Sequence, residues 1–240
     1  MAYIQGNPVD GLKQTVTRHL FLMGVVTLLL GGIMTWTSEN PAEELLTIVA
    51  ITFACAGLIA LVSLRANPLA LTMLLKPGAF QKAVNEENRV QEILEKLPDD
   101  CFIFNNLILE LFRVDHLILS TRGIFVIGRV RRAGALRIEE GQLFAGEHSQ
   151  KNITSSTWRI CHLLNIVIRK GWSKEVMPSP VVVGKPWAEQ LKGASFVVDG
   201  IRVSDLESLT DHIQASPPGV LDEELVESVA SYILRRYTRA

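Results

Sequence analysis

The sequence contains few cysteines and almost no net charge, and each scarcity excludes a class of protein. Its three cysteines, Cys55, Cys101 and Cys161, are spaced too widely for a disulfide framework or a zinc-binding pattern. A formal net charge of -1 gives the whole chain no electrostatic attraction to nucleic acid. We therefore predict free cytoplasmic thiols and no metal site.

Charged residues are also missing from two long stretches, residues 20–36 and 45–64. A helix needs roughly 20 apolar residues to cross a bilayer. The second stretch meets that length, and Trp36 extends the first into the membrane interface. The pattern predicts a transmembrane helical hairpin, whereas a buried hairpin in a soluble domain would normally show polar faces. A cleavable signal peptide is not favoured, because a second apolar span follows the first.

The charges around these spans predict their orientation. The joining loop, residues 37–44, contains three glutamates and no lysine or arginine. Because cytoplasmic loops carry the excess of Lys and Arg, both termini are expected in the cytoplasm, and the protein in an inner or cytoplasmic-type membrane. The flanking basic residues are Lys13 and Arg18 before the first span and Arg65, Lys76 and Lys82 after the second.

Hydrophobic periodicity and turn residues divide the rest of the chain into short elements. Residues 86–97 have the spacing of an amphipathic helix, and β-branched runs bounded by Pro, Gly or Asp predict strands. Ser204 and Glu207 resemble a capping box at the start of a later helix. The predicted strands are 101–109, 112–120, 124–130, 135–138, 142–145, 180–184, 196–198 and 201–203, and the other helices are 152–170, 204–214 and 222–237.

The order of these elements predicts an α/β fold behind a membrane anchor. A helix, three strands, a further helix and a strand follow one another, and two helices come last. The predicted segments are an N-terminal tail of residues 1–18, a transmembrane helical hairpin of 19–66, a juxtamembrane linker of 67–84, an α/β domain of 85–215 and a C-terminal helix of 216–240.

The most informative segment is residues 114–130, two apolar strands joined by a tight turn, with Asp115 inside the first strand. With its surroundings, this hairpin resembles the NERD domain, the nuclease-related domain of the restriction-endonuclease-like superfamily. The resemblance implies a mixed sheet flanked by helices. It is carried by Glu-Asn-Arg-Val at 87–90, Phe-Asn-Asn-Leu-Ile-Leu at 104–109, Val-Asp-His-Leu-Ile-Leu at 114–119, Arg-Gly-Ile-Phe-Val-Ile at 122–127, Pro-Val-Val-Val at 180–183 and Val-Ser-Asp-Leu at 203–206.

The resemblance implies a metal-dependent nuclease site, and the sequence departs from it. Such a site needs an acid on one strand and Glu-x-Lys on the next, because two carboxylates hold Mg²⁺ and the metal activates water. Asp115 matches the acid, but Gly128 stands at the Glu position and Val130 at the Lys position. Glu87 matches the acid of the family's opening helix and could approach Asp115. One carboxylate makes a poor Mg²⁺ site, so we expect no catalysis and no cofactor.

Asp115 therefore has a simpler interpretation as a partly buried acid held by Arg113 or by a backbone N–H. His116 is expected on the opposite face, where a core or surface histidine fits better than a catalytic base. A metal ligand relocated to Glu139 or Glu140 would instead restore a Mg²⁺-dependent nuclease.

Arginines near this hairpin are the strongest surface signal in the sequence. Arginine forms charge-assisted hydrogen bonds to phosphate, in nucleic acid or anionic lipid, and to the acids of a protein partner. A solvated surface explains them equally simply, because no aromatic residues interleave the cluster. Strand alternation predicts that Arg129 and Arg131 point away from the face of Gly128. The phosphate- or partner-binding candidates are Arg122, Arg129, Arg131, Arg132 and Arg137.

Three functions from different classes agree with these observations. The first is a membrane-anchored pseudoenzyme that serves as a protein-interaction, accessory or assembly subunit of a membrane complex. The second is a membrane-tethered nucleic-acid-binding protein, and the third is a divalent-metal-dependent nuclease with relocated ligands. We favour the first, with the lipid bilayer and protein as partners, because two catalytic side chains are missing while the apolar framework is kept.

Overall fold

The computed structural model describes residues 2–38, 43–66, 76–131, 134–184 and 196–237. The chain divides into two compact units, Met1–Pro8 with Asn88–Ala240, and Val9–Glu87. The first unit is a mixed α/β domain, and the second contains the apolar helices. Over the described ranges the helices are α1 (Pro8–Thr37), α2 (Leu45–Ala66), α3 (Pro77–Leu94), α4 (Lys151–Trp172), α5 (Ser208–Ala215) and α6 (Glu223–Tyr237).

The strands of the α/β domain form two sheets. They are β1 (Tyr3–Gln5), β2 (Phe102–Leu109), β3 (Phe112–Ser120), β4 (Gly123–Arg129), β5 (Leu136–Glu139), β6 (Gln142–Ala145), β7 (His148–Ser149), β8 (Ser179–Gly184), β9 (Phe196–Val198) and β10 (Ile201–Asp205). In the part of the chain described, the main sheet has seven strands in the order β1-β2-β3-β4-β8-β10-β9. The pairs β1/β2, β4/β8 and β8/β10 are parallel, and the others are antiparallel. A small antiparallel sheet, β5-β6-β7, is inserted between β4 and α4.

Helices cover both faces of the main sheet, because its central strands are apolar on both sides. One face packs against α4 and α6, and the other packs against α5 and the last turns of α3. The central hairpin of β3 and β4 is therefore held from both sides, which fixes the residues at its ends. Its buried side chains are Leu117, Leu119, Ile124 and Val126 on the first face and Ile118, Phe125 and Ile127 on the second.

The α/β prediction is confirmed by this architecture. The three strands of the central meander agree with the predicted bounds to within one residue at each end. A mixed sheet with flanking helices follows, as the resemblance implied. The agreement is close here because continuous apolar runs bounded by turn residues carry their own signal in the sequence.

The N-terminal segment differs from the predicted polar tail. Tyr3–Gln5 forms β1, which pairs in parallel with residues 102–104 of β2, and α1 begins at Pro8. Such a short strand has no recognisable periodicity, and its partner is far away in the sequence. Backbone pairing places it in the sheet, and the side chains of Ala2 and Ile4 pack against the core.

The predicted capping box is wrong. Ser204 belongs to β10, where it pairs with Val183, and α5 begins only at Ser208 without a side-chain cap bond from Glu207. Asp205 provides a different link, because its Oδ1 accepts a hydrogen bond of 2.8 Å from the Ser208 N–H. The helix starts late because β10 is extended by its pairing with β8.

Among the described residues of the second unit, one segment is clearly long and apolar enough to cross a membrane. That segment is Leu20–Thr37 of α1, with a mean hydropathy of 1.9 and none of its residues buried. Over the described side chains, α2 offers the shorter apolar stretch Leu45–Ile59. The predicted two-span hairpin therefore stays a prediction.

The linker prediction falls in the same unit. α3 already begins at Pro77, inside the predicted linker, since proline favours the first position of a helix. Residues 67–75 of that predicted linker lie outside the described residues.

Candidate functional site

A cleft of about 460 Å³ lies beside the end of β4. Strands β3 and β4 line one side, and β7 with the first turns of α4 lines the other. It brings together Asp115, Gly128, Arg129 and Arg131, which the sequence analysis had singled out. The rest of its polar lining includes Arg113, His148, Ser149, Gln150, Asn152 and Ser156.

Asp115 lies where the pairing of β3 with β4 stops. Asn106, on the neighbouring strand, has a left-handed backbone with φ of 52°. The pairing of β3 with β4 begins at Ser120 with Gly123 and ends at His116 with Ile127. Beyond that point, the backbone N–H of Arg129 donates to Asp115 Oδ2 over 2.9 Å. The carboxylate thus accepts from a strand N–H just past the end of the ladder.

The other oxygen of Asp115 bonds to a guanidinium. Arg131 Nη2 donates to Asp115 Oδ1 at 2.9 Å, and the aspartate side chain is only 15% exposed. Burial acts to raise the pKa of Asp115, but Arg131 and the Arg129 N–H outweigh it and hold the pKa below its ordinary value of 3.8. The acid is therefore ionised at neutral pH, with both oxygens engaged.

This contact corrects one prediction about the arginines. Strand alternation placed Arg131 on the face opposite Gly128, yet its guanidinium reaches Asp115 in the same cleft. The reason is that β4 ends at Arg129, so the alternation does not extend to residue 131. The sequence predicted that Arg113 or a backbone N–H binds Asp115. The structure shows the backbone N–H of Arg129 in that role, and it adds Arg131 as an ion-pair partner.

Gly128 is in direct contact with α4. A Cβ atom at this position would lie 2.6 Å from Thr157 Oγ1 and 3.2 Å from Ile153 Cγ2. Real Cβ atoms essentially never come as close as the first of these distances, and overpacking of this kind strains a core. Val130 is buried among apolar side chains, and its N–H donates to the Val183 carbonyl at 2.8 Å. At the two positions where the family motif has Glu and Lys, Gly128 thus packs directly against α4 and Val130 packs within the apolar core.

His116 and Glu87 lie elsewhere. His116 is buried, and its Nδ1 is 2.7 Å from the Asn105 side-chain oxygen. Burial lowers the pKa of His116 to about 3, so the ring is neutral and serves as a core histidine. Glu87, on α3, is buried as well and is not among the described residues that line the cleft.

The remaining arginine candidates do not form one cluster. Arg122 lies at the β3–β4 turn, at the other end of β4, and donates to the carbonyl oxygens of Gln214 and Ser216, each at 2.9 Å. Arg137, on β5, forms an exposed ion pair of 3.2 Å with Glu139 and lies over the Phe144 ring. Arg132 lies outside the described residues.

Two contributors to the cleft were not predicted from the sequence. Arg113 was considered only as a partner of Asp115, but it lines the cleft itself. The second contributor is the first turn of α4, which contains no acidic residue that would repel an anion. The polar run from Ser149 to Asn152, just before a long apolar periodicity, was the available signal. A helix N-terminus carries partial positive charge, so both contributors favour an anion over a cation.

The residues of this site do not fit the Mg²⁺ ion that the resemblance implies. Mg²⁺ needs several oxygen ligands in octahedral geometry. Asp115 supplies the one carboxylate in the described lining, and Arg131 places a positive charge against it. Over the described residues of the whole chain, no three His, Cys, Asp or Glu side chains come together as a metal-binding group, Glu139 and Glu140 included.

Comparison with known proteins gives one match. Residues 82–182 match the family described as NERD, nuclease-related domain. The matched region includes β2, β3 and β4 with Asp115 and Gly128, as well as α4, and it agrees with the resemblance seen in the sequence. No curated protein and no solved structure matches the chain.

Proposed function

We propose that this protein is a membrane-anchored, catalytically inactive nuclease-like domain that acts as a protein-interaction, accessory or assembly subunit of a membrane complex. The nuclease-related match supports the nuclease-like fold. The contact of Gly128 with α4 carries the proposal of inactivity. A glutamate at that position is not merely absent from the sequence, because the space for its first carbon is filled by Thr157 and Ile153.

The charges around Asp115 support the same conclusion. Water activation by a divalent metal needs a cluster of negative oxygens. In this cleft, Arg113 and Arg131 accompany a single carboxylate, and Arg131 pairs with that carboxylate directly. A nuclease with relocated ligands is not favoured, because no second acid lines the cleft in the described part of the chain.

The membrane anchor is supported by exposure. The side chains of Phe21, Leu28, Leu29 and Trp36 on α1 are between 60% and 90% exposed. On α2, Leu46 and Phe53 are exposed to 85% and 74%. Apolar residues exposed in such numbers on long helices favour contact with lipid tails over contact with water.

The position of β1 supports two crossings rather than one. β1 precedes α1 in the chain, yet it is paired with β2, which follows α2 and α3. Both strands must lie on the same side of any membrane, so the chain crosses it an even number of times between them. If α1 spans the bilayer, α2 is the apolar helix available for the return. The positive-inside bias then puts both ends in the cytoplasm.

A cleavage assay tests the proposed inactivity. The full-length protein in mild detergent is incubated with single- and double-stranded DNA and with RNA, in Mg²⁺ or Mn²⁺. We expect no cleavage above that of the Asp115→Ala variant, because the metal site is incomplete. Metal-dependent cleavage that Asp115→Ala abolishes would refute the proposal and establish the nuclease alternative.

Co-purification tests the accessory role. The tagged protein is extracted gently from its native membrane, and the mass and composition of the particle are recorded. A protein partner in fixed stoichiometry, retained when the particle is purified a second time, is the expected result. A particle of this chain alone would argue against the role.

A nucleic-acid-binding function is the second candidate, since the arginine-lined cleft suits phosphate. It predicts a salt-dependent affinity for DNA or RNA that Arg113→Gln weakens.

A further inference from the structure

Helix α6 packs one face on the main sheet and exposes the opposite face. Its buried side chains recur at the spacing of one helix face; they are Val226, Val229, Ala230 and Ile233. Four exposed residues lie on the other side, at positions i, i+4, i+7 and i+11; they are Glu224, Ser228, Ser231 and Arg235. This alternation of four and three residues is the spacing of the contact line between two paired helices. We name these four residues the outer stripe.

An open groove of about 680 Å³ lies along the outer stripe, and all four stripe residues line it. Trp172, the last residue of α4, forms one wall, and its ring meets Tyr232 edge to face with the ring centroids 5.5 Å apart. The Trp172 Nε1–H donates to Ser228 Oγ over 2.9 Å, so the indole ring is held in place. Aromatic rings in grooves are typical anchors of protein–protein interfaces. The groove therefore suits a protein surface.

The charge of the outer stripe changes sign along the helix. Glu224 lies in the first turn of α6, and Arg235 lies in the last turn. The neighbouring Arg236 is bonded to Glu110 at 3.2 Å, whereas the described residues give neither Glu224 nor Arg235 an ion pair. The stripe thus presents an acid at one end and a base at the other, with both charges directed outwards.

This pattern is complementary to itself. The pair Glu224 and Arg235 has the same midpoint as the pair Ser228 and Ser231, between residues 229 and 230. In an antiparallel pair of α6 helices with a two-fold axis at this midpoint, Glu224 of each copy faces Arg235 of the other. Every contact then occurs twice, because a two-fold interface uses the same patch on both copies. A parallel pair would instead place like charges together, which is unfavourable.

We propose that this protein forms a two-fold symmetric dimer through the outer stripe, with α6 of a second copy antiparallel in the groove. The serines at the centre are small enough to let the two helices approach closely. A formal net charge of -1 gives two copies little mutual repulsion. A single helix face is a small interface, so we expect a reversible dimer with a Kd in the roughly micromolar range. The inference goes beyond the proposed function and does not depend on it.

Charge reversal on the full-length protein tests the dimer. Glu224→Arg, Arg235→Glu and the double variant are compared with wild type in mild, density-matched detergent. Sedimentation velocity over a series of protein concentrations measures the Kd. Differently tagged forms of the two single variants are also mixed, and co-purification through one tag measures their heterodimer. Glu223→Arg is the matched control, because Glu223 is exposed in the same turn of α6 but does not line the groove.

We expect Glu224→Arg and Arg235→Glu each to raise the Kd of the dimer roughly tenfold, because symmetry turns one reversed charge into two repulsive contacts. The double variant should dimerise like wild type, since it exchanges the two charges. A mixture of the two single variants should form heterodimers in preference to either homodimer, which also shows that both variants are folded. Glu223→Arg should leave the Kd unchanged.

Several results would overturn the inference. A wild-type protein that stays monomeric well above micromolar concentration would exclude the dimer. A dimer that neither single variant weakens would place the contact elsewhere on the chain. A double variant no better than the single variants, together with no heterodimer in the mixture, would exclude the antiparallel pairing. A different protein that co-purifies in place of a second copy, and is lost in Glu224→Arg, would assign the groove to that partner.

Discussion

Gly128 shows how a contact distance determines a residue type. The backbone of β4 passes so close to α4 that a Cβ would overlap Thr157 Oγ1. That hydroxyl is itself fixed, because it donates to the Ile153 carbonyl of its own helix at 2.8 Å. The side chain of Thr157 therefore cannot turn away without loss of a hydrogen bond.

Gly128→Ala should lower the free energy of unfolding by about 1–3 kcal/mol, because the new methyl group overpacks the contact between strand and helix. Chemical unfolding of the full-length protein in mild detergent measures the change. Gly171→Ala is the control in α4, where no atom lies within 4 Å of the added carbon. It should be neutral or stabilising by about 0.5–1 kcal/mol. An unaffected Gly128→Ala protein would show that the first carbon of a side chain fits at this position, and would remove the steric support for inactivity.

Asp115→Asn should destabilise the protein by roughly 1–3 kcal/mol at neutral pH, since it removes the charge that Arg131 and the Arg129 N–H stabilise. The folded state lowers the pKa of Asp115, so its stabilisation is complete above the ordinary value of 3.8 and is lost as the pH falls below it. The difference between wild type and variant should therefore shrink in acid. A difference that grows in acid would contradict the lowered pKa.

At the scale of elements, β1 is held to the sheet by few contacts. The Tyr3 N–H donates to the Cys101 carbonyl at 2.9 Å, and Asn105 Nδ2 donates to the Gly6 carbonyl at 3.2 Å. Gly6 has φ of +82°, and a Cβ there would lie 2.5 Å from the Asn105 carbonyl oxygen. The buried pair of Asn105 and His116 thus positions the turn that leads from β1 to α1.

Gly6→Ala should loosen β1 while the rest of the sheet stays intact. Hydrogen exchange of residues 3–5 is expected to speed up about tenfold for each 1.4 kcal/mol lost. Gly219→Ala is the matched control, because Gly219 also has a positive φ of 78° but no atom within 4 Å. It should leave the exchange of β1 unchanged. Unchanged exchange in Gly6→Ala would show that the turn has room for a side chain.

At the scale of the whole molecule, the sheet links the two ends of the segment that contains the apolar helices. β1 comes before α1 and β2 comes after α2, yet the two strands are hydrogen-bonded. A single crossing is incompatible with that pairing. If the apolar helices cross a membrane, as proposed above, their topology is constrained by the fold of the α/β domain as well as by hydropathy.

Thiol accessibility checks this topology in intact cells or spheroplasts. With Cys55→Ala as background, Glu43→Cys in the joining loop should react with a membrane-impermeant reagent from outside. Val220→Cys, exposed on the α/β domain, should react only after permeabilisation. Both positions reacting on the same side would exclude the two-span hairpin.

The sequence by itself determined the features that depend on neighbouring residues. The apolar stretch of α1, the meander of β2, β3 and β4, and the absence of a Glu-x-Lys pair could all be read directly, because each lies within one continuous segment. The same holds for the mixed α/β fold, which follows from the order of strongly patterned elements.

Only the tertiary structure decided which residues meet. It paired Asp115 with Arg131 past the end of β4, placed α4 against Gly128 and separated Arg122 from the cleft. It also placed β1 beside β2. These contacts join elements that are far apart in the sequence, so no periodic pattern predicts them. Packing, strand pairing and the end of strand alternation after β4 decide which of several similar residues come together.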